Sequence, residues 1–449
     1  MRGSPFTLGL VALLGLAAAG CSWSRFDDIT GDSPIVLLEK PGSMKTGFGV
    51  SVGTLTRNGQ SSVLVGGAVG ASGAALYDIG DGTSPGTTAI DSGYCSGGSA
   101  QCFLSSSFGA FANATSGVSR PQCYAVGTGS VGTAGIIIRC LDATEYPLAV
   151  PPNALRLLDF SLVNSQPYDY PMATDRTDDP VLLVTLPYQQ MAWFYPSKST
   201  EPSELGVPKG MLDKDDKSFG ATLAVLTVGD ARVFAVGYPG KSEVLLWKTD
   251  GTADSGYIGC LGGVSGLGRA LSAGNVNKDD VSDLVVSDAS NVNVIDGQAL
   301  AALPVTDSTE CSFSSLPEGA LLGSFGCGSS SSTANCEGSS FGAAVAVGDL
   351  DGDGDGEVVV GAPNMTVRGE SNAGAILVYD VETPADAAFV EVNFLSSAEG
   401  NDNLGAVLAT PHIKGNRDLI VAGAPGNGKA ALFFCSSLLP HGEAGSRCP

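Results

Sequence analysis

The sequence has little positive charge. It contains 23 Lys and Arg against 46 Asp and Glu, which gives a formal net charge of −23. Nucleic acids and anionic lipid surfaces are bound by basic side chains that neutralise phosphate groups. The balance therefore argues against both as partners. It suits a calcium-binding protein or simply a soluble exported surface, and composition does not separate these two.

Histidine is also scarce. His412 and His441 are the two in the chain, and neither suggests a Ser-His-Asp catalytic set. Paired acidic residues are abundant, but they fall in loops where they are better explained as metal ligands. The sequence therefore predicts that the protein is not an enzyme.

The C-x-x-C spacing that is typical of zinc and redox sites is missing, although the chain has 11 cysteines. That number is too high for a reducing cytosol. Setting Cys21 aside leaves an even number, enough for five disulfides whose connectivity stays open. Sequential pairing would close short loops and would join Cys95 to Cys102, Cys123 to Cys140, Cys260 to Cys311, Cys327 to Cys336 and Cys435 to Cys448.

A long apolar run is missing as well, because the stretch from Phe6 to Ala19 is short for a membrane span. It follows Arg2 and ends in small residues, so residues 1–20 are predicted to be a signal peptide. Ala18-Ala19-Gly20-Cys21 resembles a bacterial lipobox, whose cysteine is acylated and becomes the mature N-terminus. The resemblance implies a lipid on Cys21 and a tether over residues 21–33. An ordinary cleaved signal peptide is the alternative.

Glycine is abundant, with 62 residues, and short β-branched runs accompany it. Both indicate an all-β chain with many tight turns. One pattern recurs: an aromatic residue or Leu before Gly, a strand, a polar loop, and an apolar strand that ends in small residues and often Pro. The seven copies begin at Phe48, Phe108, Phe160, Phe219, Leu267, Phe341 and Leu404. The third is the poorest, and its interpretation as a linker would leave six.

Phe341-Gly342 at one end of the sixth copy and Gly361-Ala362-Pro363 at the other resemble the FG-GAP repeat of the integrin alpha-subunit N-terminal propeller. The resemblance extends over residues 34–435 and implies a seven-bladed β-propeller. Stacking the blades around a ring buries faces that a single blade cannot bury alone. The run Ile35-Val36-Leu37-Leu38 is predicted to close the ring by completing the seventh blade. Residues 436–449 are then a C-terminal tail.

The sixth copy contains an acidic loop that predicts a calcium site. Calcium takes six to eight oxygen ligands, and alternating positions of a curled loop point inward together. Position 12 of an EF-hand would be Glu, but Val360 stands there. The site is therefore of the FG-GAP type, and a solvated acidic turn is the alternative. The predicted ligands are Asp349, Asp351, Asp353, the backbone carbonyl of Asp355, and Glu357.

The fifth copy repeats this spacing with two amides in place of carboxylates, which predicts a second and weaker calcium site. Asp280 stands where the usual glycine would be, a position that Asp tolerates better than most residues. The corresponding loops near Thr56, Arg176, Gly229 and Lys414 lack the spacing and are predicted to hold no metal. The predicted ligands of the second site are Asn275, Asn277, Asp279, Val281 and Asp283.

Integrin alpha propellers bind partners through loops on one face of the ring, and their calcium loops lie on the opposite face. The resemblance therefore implies an adhesion or recognition module for a protein or cell-surface ligand, anchored to the bacterial outer membrane through its lipid. A periplasmic scaffold lipoprotein of the envelope is the second hypothesis. An enzyme with a site in the central channel is the third. Fold alone does not choose among them.

Overall fold

The structure is a computed structural model of the whole chain. The residues described below are 35–38, 48–57, 60–66, 74–78, 86–90, 101–108, 123–129, 135–140, 145–148, 171–175, 181–196, 199, 201–250, 255–327, 338–350, 352–381, 389–396, 399–413 and 417–433. The predicted signal peptide, Cys21, the tether and the tail all lie outside these ranges, as do Phe160-Ser161 and Asp351.

Strands make up most of the described residues. The first nine are β1 (Ile35–Leu37), β2 (Ser51–Arg57), β3 (Gln60–Gly66), β4 (Ala74–Asp78), β5 (Gly86–Ile90), β6 (Gln101–Phe108), β7 (Cys123–Gly129), β8 (Gly135–Cys140) and β9 (Glu145–Leu148). The next eight are β10 (Met172–Thr174), β11 (Leu182–Leu186), β12 (Met191–Tyr195), β13 (Ser203–Glu204), β14 (Thr222–Val228), β15 (Ala231–Tyr238), β16 (Glu243–Thr249) and β17 (Gly256–Leu261).

The C-terminal half continues in the same way. Its strands are β18 (Leu271–Gly274), β19 (Asp283–Ser287), β20 (Asn291–Ile295), β21 (Leu321–Gly326), β22 (Ala344–Gly348), β23 (Glu357–Ala362), β24 (Ala375–Val381), β25 (Phe389–Ser396), β26 (Val407–Ala409), β27 (His412–Ile413), β28 (Arg417–Asp418), β29 (Ile420–Ala424) and β30 (Lys429–Phe433). One short helix, α1 (Gly297–Ala301), follows β20 and is capped by the Asp296 carboxylate.

The described strands form seven four-stranded antiparallel sheets and one two-stranded hairpin, β27–β28. Six of the sheets are simple meanders of consecutive strands, such as β14-β15-β16-β17. The seventh has the order β26-β29-β30-β1, so the N-terminal strand is its outer strand, and Val36 pairs with Leu432. The prediction of an all-β chain built from antiparallel sheets is confirmed.

In the third to seventh sheets, the middle strands are largely buried on both faces wherever their side chains are described. Every residue of β23 is buried, including the run Val358-Val359-Val360. A strand that is covered on both sides is a continuous apolar run, since neither face meets water. The sheets must therefore stack on one another.

The hydrophobic core lies between consecutive sheets. Phe194 of β12, Phe234 of β15 and Trp247 of β16 belong to one cluster between the third and fourth sheets. Further clusters lie between the fourth and fifth, fifth and sixth, and sixth and seventh sheets. Another cluster joins Leu432 of the last sheet to Val63 of the first.

The first strands of the sheets contact one another in series. β2 contacts β6, β6 contacts β10, and the series continues through β14, β18 and β22 to β26. β26 in turn contacts β2. The first strands thus lie side by side, and the last lies beside the first.

The glycines of the repeat have two structural tasks. The first is within a repeat: Gly342 has φ +77°, and its N–H donates to the carbonyl of Gly361 at 3.0 Å. The same bond joins Gly49 to Gly66, Gly220 to Gly237, Gly268 to Ser287 and Gly405 to Gly423. The Phe-Gly and Gly-Ala-Pro ends of a repeat are therefore bonded to each other.

The second task is between repeats. A Cβ added to Gly361 would lie 1.9 Å from the carbonyl oxygen of Gly405 in the next sheet. No real Cβ fits there, so the close approach at this junction requires glycine. Gly237 meets Gly268 and Gly423 meets Gly49 in the same way, whereas at two other junctions Thr185 faces Gly220 and Ser287 faces Gly342.

One of the five candidate disulfides, Cys260–Cys311, is present, with Cα atoms 4.7 Å apart. It ties β17 to the connection between α1 and β21. Cys327 is also disulfide-bonded. Cys123 and Cys140 lie opposite each other in the β7–β8 register. In the described part of the chain, no helix has the length and apolar character to cross a membrane.

Candidate functional site

The loop between β22 and β23, residues 349–357, curls around the carboxylate of Asp349. Oδ1 accepts hydrogen bonds from the N–H groups of Gly352 at 2.7 Å and Asp353 at 3.1 Å, and Oδ2 accepts one from Gly354 at 3.1 Å. Gly352 and Gly354 have φ of +82° and +99°. Glycine adopts such positive φ angles without steric cost, so the spacing of acidic residues and glycines produces the curl of the loop.

The last residue of this loop, Glu357, is buried at the start of β23. Its Oε2 accepts a hydrogen bond from the Leu350 N–H at 2.7 Å, and Leu350 packs into the core between the sixth and seventh sheets. The carboxylate thus fixes the start of the loop to its end.

Asp353 and Asp355 bring two further carboxyl groups together. The Asp355 N–H donates to Asp353 Oδ1 at 3.1 Å. Burial, a hydrogen bond with the Asp353 carboxyl and the charge of Asp353 raise the pKa of Asp355 to about 7. The sequence assigned only the backbone carbonyl of Asp355 to calcium, whereas the structure places its side chain in this acidic cluster.

The second predicted loop, residues 275–283, has the same backbone course. Lys278 and Asp280 have φ of +65° and +62°, at the positions that Gly352 and Gly354 occupy in the 349–357 loop. Asn275 Oδ1 accepts hydrogen bonds from the N–H groups of Asn277 at 3.4 Å and Asp279 at 3.3 Å.

The end of the 275–283 loop also matches. Asp283 is fully buried, and its Oδ2 accepts a hydrogen bond from the Val276 N–H at 3.1 Å, as Glu357 does from Leu350. Burial raises the pKa of Asp283 to about 7, against the opposing effect of hydrogen bonds from Gly297 and Val276. Val281, the remaining predicted ligand, donates its N–H to Asp279 Oδ1 at 2.9 Å.

The two loops touch each other. The Gly356 N–H donates to the Asn275 carbonyl at 2.7 Å, and Lys278 Nζ lies 2.9 Å from Asp353 Oδ2. On the other side, the Asp349 N–H donates to Asp418 Oδ2 at 3.2 Å and its carbonyl accepts from the Asp418 N–H at 2.6 Å. The 349–357 loop therefore contacts the 275–283 loop of the fifth sheet on one side and the β27–β28 hairpin of the seventh copy on the other.

The donor set suits calcium, because it consists of oxygen atoms. The carboxyls of Asp349, Asp355 and Asp283 have raised pKa values, so their negative charge is only partly compensated, and a bound cation would compensate it further. As they stand, the described side chains, which do not include Asp351, form no group of three or more His, Cys, Asp or Glu that could hold a metal. Binding would therefore require the carboxylates of the 349–357 loop to turn toward a common point.

The other loops at this end differ, as far as they are described. β14 and β15 are joined by two residues, which leaves no room for a ligand loop. The buried Asp175 after β10 accepts hydrogen bonds from Arg232 Nε and, at 2.9 Å, from the Val181 N–H. A guanidinium from the neighbouring sheet thus compensates this carboxylate. The β27–β28 hairpin pairs His412 Nδ1 with Asp418 Oδ1 at 2.9 Å.

Sequence reasoning missed Lys278, Asp418 and Arg232, because each acts on a loop of a neighbouring sheet. Only Lys278 carried a signal, since a lysine stands where the other loop has Gly352. The sequence also contains two G-x-S-x-G matches, Gly82 to Gly86 and Gly338 to Gly342. Strand β5 begins at Gly86 and strand β22 follows Gly342, whereas a nucleophile elbow leads into a helix.

Comparison with known families gives one match. Residues 341–379 match the model of the FG-GAP repeat. The chain carries an FG-GAP repeat. The match covers the sixth copy from Phe341 to Tyr379, including the 349–357 loop, and it confirms the resemblance on which the repeat was recognised.

Over the whole chain, the similarity to known proteins is lower. No curated protein sequence matches this chain significantly. Among solved structures, the crystal structure of BBS1N in complex with ARL6DN is 10% identical, with a TM-score of 0.46 over 91% of this chain and 98% of that one. The virginiamycin B lyase of Staphylococcus aureus is 9% identical, with a TM-score of 0.48 over 89% of this chain and 99% of that one.

Proposed function

We propose that this FG-GAP chain is an exported seven-bladed β-propeller that binds calcium in two adjacent blades and works as a binding or adhesion module. The observation that carries the proposal is the contact between Gly423 of the last sheet and Gly49 of the first. It repeats the contact found between consecutive sheets, such as Gly361 with Gly405. The last and first repeats are therefore related as neighbours in a ring.

Three other observations support closure of the ring. β26 contacts β2, as each first strand contacts the next. β1 pairs with β30 and thus joins the N-terminal segment to the last sheet. Leu38 packs among residues of both sheets, with Val63 and Tyr77 on one side and Leu432 on the other. A ring closed in this way leaves short and protected sheet edges.

For calcium, the proposed ligands are those of the 349–357 loop and, more weakly, the 275–283 loop. Their matching backbone and their surplus of negative charge support the proposal. Because the 349–357 loop contacts the sheets on both sides, calcium there would stiffen one sector of the ring, from the fifth sheet to the seventh. Calcium in this proposal is structural.

For partner binding, the proposed surface is the face opposite the calcium loops. The turn between β23 and β24 lies at the far end of β23, about 20 Å from the 349–357 loop at roughly 3.3 Å per residue. Arg368, Gly369 and Glu370 are exposed at its tip. Val367 and Glu370 exchange two backbone hydrogen bonds of 3.1 and 2.9 Å, which present this tip as a rigid hairpin.

The export part of the proposal rests on the N-terminal sequence. Cys21 is the proposed acylation site, and the outer membrane is the proposed location. Growth with a labelled fatty acid tests this directly. Label on the wild-type protein and none on Cys21→Ser is the expected result, whereas an unlabelled wild-type protein would contradict the lipid anchor.

Calcium binding is tested by titration calorimetry on the purified chain. We expect two sites, the tighter lost in Asp349→Asn plus Asp353→Asn and the weaker lost in Asp279→Asn. Asp213→Asn plus Asp215→Asn, in an exposed acidic segment outside both loops, is the matched control. Binding that survives all the loop substitutions would show that calcium binds elsewhere.

The binding role is tested with beads that carry the protein. We expect them to adhere to bacterial or host cells in calcium, and Arg368→Ala plus Glu370→Ala to weaken adhesion. Lys209→Ala plus Glu310→Ala, also exposed, is the control. Protease treatment of intact bacteria separates the alternatives, because a surface module is cleaved, whereas a periplasmic scaffold is protected until the outer membrane is permeabilised.

A further inference from the structure

Lys278 belongs to the 275–283 loop, but its ammonium group lies beside carboxylates of the neighbouring 349–357 loop. Its Nζ is 2.9 Å from Asp353 Oδ2 and 3.7 Å from Asp355 Oδ1. The side chain passes over Gly354, where an added Cβ would lie 3.6 Å from Lys278 Cε. A positive charge of the chain itself thus stands at two carboxylates of the proposed calcium loop.

The backbone holds Lys278 in this position. With φ +65°, Lys278 adopts a conformation that is uncommon for residues other than glycine. The bond from the Gly356 N–H to the Asn275 carbonyl keeps the two loops in contact. The loop thus adopts an unfavourable backbone conformation at the residue that places an ammonium group beside Asp353. Basic residues are scarce in this chain, in which acidic residues outnumber them 46 to 23.

The ammonium group and a calcium ion cannot share these carboxylates. Calcium must contact its ligand oxygens at about 2.3–2.6 Å, and a like charge a few ångströms away opposes it. The Asp353 oxygen that bonds Lys278 must therefore be released before it can turn toward the metal. Neutralisation by Lys278 also lowers the repulsion in the calcium-free loop, which makes that state less costly.

We propose that Lys278 is a built-in competitor of calcium at the 349–357 loop. Its ammonium group occupies Asp353 and Asp355 in the calcium-free protein, lowers the calcium affinity of the loop and is released when calcium binds. This inference rests on the proposed calcium site. It adds a residue from a neighbouring sheet that sets the affinity, and it makes calcium at one loop alter the side-chain contacts of the next.

The test is calcium titration calorimetry on the whole folded chain. Lys278→Met keeps the length of the side chain and removes the charge, and we expect calcium to bind roughly two- to tenfold more tightly, the range for a partly exposed charge acting on two carboxylates. Lys278→Arg keeps the charge and should stay within about twofold of wild type. Lys209→Met removes an exposed lysine elsewhere and should leave affinity unchanged.

A second measurement follows the lysine itself. Amine acylation followed by mass spectrometry should modify Lys278 faster in calcium than in chelator, because release exposes the ammonium group to reagent. The acylation of Lys209 should not change. This readout does not depend on the folding of any variant.

The outcomes separate this inference from the calcium site. Suppose that wild type binds calcium, that Lys278→Met binds it with equal or lower affinity, and that the acylation rate of Lys278 is the same in calcium and in chelator. In that case the competitor role is wrong, but the calcium site is correct. If neither wild type nor Lys278→Met binds calcium, both are wrong. Binding by Lys278→Met but not by wild type would support the competitor role.

Discussion

At the scale of single residues, the junctions between repeats contain glycines that have no room for a side chain. Gly361 and Gly405 meet across two sheets, and the same contact joins Gly423 to Gly49. Where the third and fifth copies lack this glycine, Thr185 and Ser287 take its place against Gly220 and Gly342. The third copy is also the poorest in the sequence, and Thr185 is a local substitution at its junction.

Substitution of Gly361 tests the junction. A Cβ there would lie 1.9 Å from the Gly405 carbonyl oxygen, which must move. We expect Gly361→Ala to lower the free energy of unfolding by about 3 kcal/mol or more, in the range of severe core changes. Gly206→Ala, which meets nothing within 4 Å, should change it by less than about 0.5 kcal/mol. If denaturant titrations show the same loss of stability for Gly361→Ala and Gly206→Ala, the close contact between Gly361 and Gly405 is contradicted.

A second residue-scale prediction concerns pH. Glu243 Oε2 is buried without a hydrogen-bond partner among the described residues, and burial raises the pKa of Glu243 above its usual 4.5, against a smaller opposing effect of Lys241. The unfolded chain therefore releases this proton at lower pH than the folded one. Ionisation of Glu243 therefore lowers the stability of the folded state. This loss of stability is absent below about pH 4.5 and grows as pH rises through the folded pKa.

Glu243→Gln removes this penalty. Its melting temperature should exceed that of wild type at pH 8, and the difference should vanish at pH 4. Glu310→Gln, at an exposed position, should show no such dependence. A Glu243→Gln variant that is equally shifted at both pH values would mean that the effect is not one of titration.

At the scale of elements, the sequence predicted those features that one repeat contains. The acidic loop from Asp349 to Glu357 and the strand from Glu357 to Ala362 follow from spacing and apolar runs, and the family match confirms the repeat there. The contacts of Asp418, Lys278 and Arg232 could not be predicted. They join residues of different repeats, and the stacking of sheets, which no local pattern encodes, brings them together.

The seam between the last and first sheets is tested at Leu38. This side chain is 2% exposed, and its N–H donates to the Ala430 carbonyl at 2.9 Å. Leu38→Ala should cost about 2–5 kcal/mol, as in other buried Leu→Ala changes. Val305→Ala, at a site 63% exposed, should cost almost nothing. A stable Leu38→Ala variant would mean that the N-terminal segment does not hold the ring together.

At the scale of the whole molecule, the proposed ring has unequal sectors. The fifth to seventh sheets carry two acidic loops and their cross-sheet contacts, whereas an ion pair between Asp175 and Arg232 joins the third sheet to the fourth. Metal dependence is therefore expected in one sector, whereas the described junction of the third and fourth sheets is held by that ion pair and by apolar packing. The proposed partner surface is the opposite face.

The most direct test of this account is the thermal melt of the wild-type chain in calcium and in chelator. A ligand that binds only the folded state must raise its stability. We expect a higher melting temperature in calcium, and a rise that is reduced in Asp351→Ala plus Asp353→Ala but kept in Asp213→Ala plus Asp215→Ala. A wild-type melting temperature that is the same in calcium and in chelator would contradict the account.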